Sequence, residues 1–140
     1  SQLLIGMDLI KDRAMLQAAY DDAAGVTAQF NLNLLARINR ELDGDIPLDN
    51  FRHVALWNDD MARVEMHLEA MQGLAFTVSG QHFVMQAGET IHTENSHKFS
   101  RRSGNALLLA GGWTPVKRWL DDEKRFGLVL AEASEPRHAP

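Results

Sequence analysis

The sequence predicts a mixed α+β and α/β architecture. A helix-plus-antiparallel-sheet region is inserted between two chain ends that read as pieces of an α/β sheet. Three patterns carry this expectation. An apolar run closed by an acid, "LLIGMDL", opens the chain. A long helical stretch follows, and from there to the nineties the hydrophobic period falls to two.

Taken in order, residues 3–9 read as a buried strand ending in a loop, the pattern of a central strand in an α/β sheet. Asp12 stands where an N-cap belongs, ahead of a helix over Arg13–Tyr20. Val26, Phe30, Leu34, Ile38 and Leu42 recur every fourth residue, which predicts an amphipathic helix over residues 23–42 stopped near Gly44. "HVALW" then reads as a strand. "RVEMHLEA" alternates cleanly, with Val64, Met66, Leu68 and Ala70 on one face. "LAFTV", "HFVM" and "ETIHTE" continue an antiparallel meander punctuated by Gly73, Gly80 and Gly88. A helix over residues 101–110 ends at Gly111–Gly112. A strand, an acidic turn and a second apolar strand follow it, and "SEPRHAP" reads as a frayed tail.

The ends and the middle therefore differ in kind: 1–9 and 98–132 as sheet pieces, 10–97 as the insertion, 133–140 as the tail. An α/β sheet needs several parallel strands joined by crossover helices, and this chain offers one candidate. The remainder of that sheet is expected outside it. A strand at residues 3–9 with absent neighbours would leave an exposed edge through which the chain could self-associate.

Composition excludes several function classes. The chain has 140 residues, a net charge of −5 and no basic run, which argues against a nucleic-acid partner. No apolar stretch reaches a membrane span and no leader pattern opens the chain, so no membrane partner is expected. The absence of cysteine rules out disulfides and thiolate chemistry and favours a cytoplasmic location. No glycine-rich phosphate loop and no G-x-S-x-G is present.

Two stretches concentrate polar chemistry. In "ETIHTENSHKFS", an extended backbone would put His92, Glu94 and Ser96 on one face. His92 and Glu94, with His97 or His67, could form a two-histidine, one-carboxylate metal site. A solvated strand end is a second reading. The favoured one is a polar substrate pocket, in which Glu94 accepts from a ligand N–H and Ser96 pairs with a second ring nitrogen. In "AYDDAAGVTAQFN", residue physics alone favours a helix–break–helix corner capped by Asp21 or Asp22, with Thr27 packed inside a helix. Met66, on the inward face of its strand, reads as core filler, and the scattered histidines as surface or packed residues.

Three stretches, "LLIGMDLIKD", "AAYDDAAGVTAQFNLNLLARINREL" and "GETIHTENSHKFS", with "RVEMHL" between them, resemble the S-adenosylmethionine-dependent histidine-specific methyltransferases. That family trimethylates the α-amino group of L-histidine on the route to ergothioneine. The resemblance covers the C-terminal portion of such an enzyme. It implies a class I methyltransferase sheet interrupted by a histidine-binding domain: residues 1–9 a late strand, 10–97 the substrate domain, 98–132 the closing helix and hairpin.

The resemblance also implies site residues. Tyr20 would lie near the substrate's carboxylate and amine, Thr27 and Met66 would line the pocket, and Glu94 and Ser96 would grip the imidazole. His92 and His97 would be framework. Relatives acting on an indole amino acid exist, and the Glu94–Ser96 pair argues for imidazole here. The family's S-adenosylmethionine-binding turns have no counterpart in this chain, nor has the family's asparagine that pairs with the substrate's carboxylate and amine. No catalytic residue, cofactor contact or metal ligand is therefore assigned within it, and the chain alone is expected to transfer no methyl group. The ligand implied is L-histidine or a methylated histidine. The alternative is a stand-alone, non-catalytic amino-acid-binding or interaction module.

Overall fold

A computed structural model describes residues 1–134. The elements are β1 (Gln2–Asp8), α1 (Arg13–Tyr20), α2 (Val26–Glu41), β2 (Phe51–Asn58), β3 (Arg63–Ala70), β4 (Leu74–Val78), β5 (Gln81–Met85), β6 (Thr90–His97), α3 (Arg101–Ala110), β7 (Trp113–Leu120) and β8 (Phe126–Ala133). They divide between two compact units. One is Asp12–Ser96; the other joins Ser1–Lys11 to the chain from His97 onward.

In the unit Asp12–Ser96, Asp12 caps α1 as its position predicts, its carboxylate accepting from the amides of Ala14 (3.0 Å) and Met15 (3.3 Å). At the corner that follows, Asp21 occupies the C-cap position of α1 and α2 starts from Gly25 at φ +68° with no side-chain cap. Neither acid caps α2. Glycine opens it because a left-handed residue carries no steric cost there.

The apolar stripe of α2 differs from expectation. Leu35 and Asn31 are its buried residues, whereas Val26 (64%) and Phe30 (69%) are largely exposed. A four-residue step overshoots the helical turn by about 40°, so a strict i+4 row winds off the buried face. The helix is pinned to the following loop by Asn39, whose amide donates to the Ile46 carbonyl (2.9 Å) and whose oxygen accepts the Ile46 amide (2.8 Å).

The alternation of β3 holds throughout: Val64, Met66, Leu68 and Ala70 are all 2% exposed or less. Each large side chain so buried contributes about 1.5–3 kcal/mol. Leu68 and Ala70 join Leu35, Ile46, Phe51 and Phe76 in one core. Val64 joins Leu16 and Ala55 in a second, against which Tyr20 and Trp57 pack.

The meander expected after β3 is not continuous. β4 and β5 form a separate hairpin, and β6 returns to lie beside β3 in the order β2-β3-β6. The return is fixed at its start by Ala70 N–H donating to the Glu89 carbonyl (2.9 Å) and Gly88 N–H to the Ala70 carbonyl (2.8 Å).

On the outward face of β3, Glu65 accepts from Arg63 Nε (2.8 Å), Asn58 Nδ2 (2.9 Å) and His67 Nε2 (3.2 Å). The Arg63 guanidinium foremost, with Asn58 and His67, holds the Glu65 carboxyl down to about 2.

In the other unit, β1, β8 and β7 form an antiparallel sheet in that order, with α3 against it around Met7, Leu108, Val129 and Ala131. Ser100 and Ser103 form a reciprocal capping box at the start of α3. Gly104 lets that helix close on the sheet: a Cβ there would stand 2.8 Å from Met7 Sδ.

β1 departs from the buried central strand expected. Met7 is its one buried residue and Leu4 is 61% exposed, and its ladder partner is antiparallel. A short apolar run does not reveal how many sheet faces are covered. Leu9 makes a single parallel bridge to Phe99. Ala133 belongs to β8, and Ser134 bonds back to Gly112 (2.7 Å); the rest of the expected tail, 135–140, lies outside the described residues.

One carboxylate ties this unit's two connecting segments. Asp8 takes Lys11 Nζ on one oxygen (2.6 Å) and the fully buried Lys98 Nζ on the other (2.7 Å). Burial alone would raise the Asp8 carboxyl, but the two lysines more than offset that and leave it below its ordinary value.

Asp8→Asn removes the carboxylate partner of a buried lysine and is expected to cost about 3 kcal/mol in denaturant unfolding. A change under about 0.5 kcal/mol, the scale of an ordinary surface substitution, would mean the pair contributes nothing. For Glu65 the folded-state value is depressed from 4.5 to about 2. Its ionised form therefore stabilises the fold fully above 4.5, and that contribution is lost as pH falls toward 2. Glu65→Gln should lower the melting temperature near neutral pH and converge on wild type at the acid end of that window.

Candidate functional site

A cavity of about 260 Å³ opens at the α1–α2 corner, lined by Tyr20, Val26, Thr27, Phe30, Met66 and Glu94. Four places in the unit Asp12–Ser96 supply it. Tyr20 is the last residue of α1; Val26, Thr27 and Phe30 come from the start of α2; Met66 is from β3 and Glu94 from β6. Ser96 reaches the same cluster through a 2.7 Å hydrogen bond between its hydroxyl and that of Tyr20.

All five expected site residues thus converge. The Tyr20 hydroxyl stands beside Ser96, the residue assigned by resemblance to the ring end of the ligand. A second hollow of about 290 Å³ adjoins the first, sharing Phe30 and Glu94 and adding Asn31, Asn33, Leu34, Arg37 and Thr93. The volume suits a small metabolite, below the ~300–1,000 Å³ typical of larger ligand sites. Its walls combine apolar surface from Val26, Phe30 and Met66 with one carboxylate and two hydroxyls. Such a lining offers apolar contact to a flat ring and polar groups to its edge.

Val26 and Phe30 also line this cavity, beyond the residues the sequence points to. Their signal was the stripe itself, whose first members face this cavity rather than the core.

The histidine–glutamate motif of β6 separates. His92 stacks on His67, ring centroids 4.5 Å apart and planes 15° from parallel, on the outward side of β3. Glu94 lines the cavity with the inward-facing Met66. Strict alternation along β6 therefore does not run through Glu94, and among the described residues His92 and Glu94 form no donor cluster with His97 or His67.

A different trio, Glu65, His67 and His92, brings donor atoms within 4.8 Å of one another. Its geometry is poor for one ion, because imidazole lone pairs lie in the ring plane and two near-parallel stacked rings cannot aim them at a common point. Its atoms are also engaged elsewhere. Glu65 holds Arg63 and Asn58, His67 Nδ1 meets Thr90 Oγ1 (3.1 Å), and His92 Nε2 meets Asn95 Oδ1 (2.7 Å). His92 thus stands on the outer face, stacked on His67 and bonded to Asn95. No helix among the described residues is long and apolar enough to cross a membrane.

The S-adenosylmethionine implied by resemblance finds no cradle here. The passages from β1 to α1 and from β6 to α3 contain no glycine, and the acid ending β1 is committed to two lysines.

Residues 1–133 match the family model described as histidine-specific methyltransferase, SAM-dependent. A histidine N-alpha-methyltransferase of Mycobacterium tuberculosis is 47% identical over 131 residues, 92% of this chain and 41% of the relative. A protein of the same description from Mycolicibacterium smegmatis is also 47% identical, with the same coverage. An N-methyltransferase, fsqC, of Aspergillus fumigatus is 23% identical over 91% of this chain and 34% of its own length. The chain thus spans about two fifths of the length of the two mycobacterial relatives. By the match along nearly its whole length, the chain belongs to the SAM-dependent histidine-specific methyltransferase family.

Proposed function

We propose that the unit Asp12–Ser96 is the histidine-binding part of a histidine N-alpha-methyltransferase, and that the whole protein transfers methyl groups from S-adenosylmethionine to the α-amine of L-histidine. The observation that carries this reading is the convergence of Tyr20, Thr27, Met66 and Glu94 on one cavity, with Ser96 tied to Tyr20. Residues 1–9 and 98–132 would then be parts of the methyltransferase sheet. The negative net charge fits a free amino acid as ligand better than a nucleic acid, and a cytoplasmic location follows from such a metabolite.

In this reading Glu94 accepts the ring N–H and Ser96 donates to the other ring nitrogen. Met66 and Phe30 pack against the ring faces. Tyr20 fixes the orientation of the Ser96 hydroxyl, so its first role is at the ring end of the ligand, and its influence on the amine passes through the position of the whole substrate. The role of these groups is to hold the reacting nitrogen in place rather than to transfer protons. An amino acid without a ring N–H leaves Glu94 buried against the ligand without a donor, which is the source of selectivity. The glycine-free strand-to-helix passages favour a second reading in which this chain binds without catalysis.

L-Histidine titrated calorimetrically into the chain should bind, and Glu94→Ala should weaken that binding about 10- to 100-fold, the value of a hydrogen bond to a charged group. Equal affinity of the variant, or equal affinity for tryptophan and histidine, would sink the imidazole assignment. The chain alone should show no methyl transfer. Turnover by it would overturn the division of labour proposed here.

A further inference from the structure

We propose that His53 is a positioning residue of this pocket, holding Tyr20 in place through a hydrogen-bonded line whose polarity is fixed at both ends by backbone carbonyls. His53 lies on the helix-facing side of β2, in the same row as the buried Phe51 and Ala55. A histidine in that row needs polar partners on both ring nitrogens. It has them: Nε2 is 2.7 Å from the carbonyl oxygen of Tyr20 and Nδ1 is 3.0 Å from the side-chain amide nitrogen of Asn31. The same Asn31 nitrogen is 3.2 Å from the His67 carbonyl oxygen.

The direction of every bond follows without choice. A carbonyl oxygen only accepts, so Nε2 carries the proton that goes to Tyr20. The His67 carbonyl likewise requires a donor, which fixes the Asn31 amide with its NH₂ toward both acceptors. One hydrogen goes to His67, the other to Nδ1, which must hold a lone pair. His53 is thereby held with its proton on Nε2 and a lone pair on Nδ1. An amide flip would set oxygen against oxygen at His67, and the other tautomer would set a lone pair against the Tyr20 carbonyl.

The consequence falls on the pocket. Tyr20 ends α1, where the helix carbonyls have no intrahelical donor. His53 satisfies that carbonyl from β2 and so ties the end of α1 to the sheet. The residue held in this way is the one whose hydroxyl meets Ser96. Asn31, 5% exposed, follows Phe30 on α2, so one amide couples both cavity-lining helices to β2 and β3.

This role rests on the reading of Tyr20 as a pocket residue, and the test is made without ligand so that the two can fail separately. Long-range proton–nitrogen NMR spectra of the wild-type chain, with His53 assigned by its loss in His53→Gln, should show the proton on Nε2. Tyr20 is the chain's one tyrosine, so a ¹³Cζ-tyrosine label gives a single reporter. Its resonance should shift and broaden in His53→Phe and be partly restored in His53→Gln, whose amide can still donate to the carbonyl. Asn31→Asp, which offers an acceptor where the amide donates, should place a proton on Nδ1. A wild-type Nδ1–H tautomer, or a Tyr20 resonance unchanged in His53→Phe, would overturn the proposal. If the variants do not fold, the wild-type tautomer alone decides it.

Discussion

The two-residue period of β3 is the constraint on which the unit Asp12–Ser96 depends. Its inward row has four members, and they meet different partners. Leu68 and Ala70 face Leu35 and Phe51, while Val64 faces Leu16 and Ala55. Met66 lies between these two cores, under the corner where α1 gives way to α2, and becomes the floor of the cavity. Two helices cover one sheet face, and the turn between them leaves a gap. The sequence around that gap supplies a tyrosine from one helix end and a threonine and phenylalanine from the next helix start.

The outward row of the same strand has a separate chemistry. Arg63, Glu65 and His67 bond among themselves and with Asn58, and His92 lies on His67. Residue types that invite a metal reading are here a set of mutually satisfied surface groups. The break in alternation along β6 keeps the two chemistries apart. Were β6 regular through Glu94, His92 and Glu94 would share a face, and the carboxylate would join the outer cluster instead of the cavity.

Local physics made part of this legible. The Asp12 cap, the bounds of α3, the inward row of β3 and the terminal hairpin follow from a cap residue, a glycine stop or a strict period, all of which act over a few residues. What sequence did not disclose depends on distant partners. The burial of β1 depends on how many faces of its sheet are covered, and the return of β6 to β3 on pairing across the β4–β5 hairpin. The i+4 row of α2 was misleading because a period of four is not the helical period; Leu35 and Asn31, off that row, are the buried residues.

The candidate site was the least legible part by physics, for a related reason. Residue types around Tyr20 and Thr27 favoured a plain helix corner, and Met66 favoured core filler; each of those local readings also holds in the structure. Tyr20 does end a helix at a corner, Thr27 does sit within a helix, and Met66 is 2% exposed. The functional reading adds only that these positions face one another, a property of the fold that no single segment carries. Asn31 and His53 sharpen the argument. Each is a polar side chain facing a sheet–helix core, a placement that costs free energy unless every donor and acceptor is met. Their donors are met by backbone carbonyls beside the cavity, at Tyr20 and at His67, the residue after Met66, and His53 Nδ1 pairs with the Asn31 amide. Apolar packing alone would fill the space between α1, α2 and β2 without fixing where the Tyr20 carbonyl points. A hydrogen-bonded line with one allowed polarity does fix it, and a hydroxyl that must meet Ser96 needs that definition.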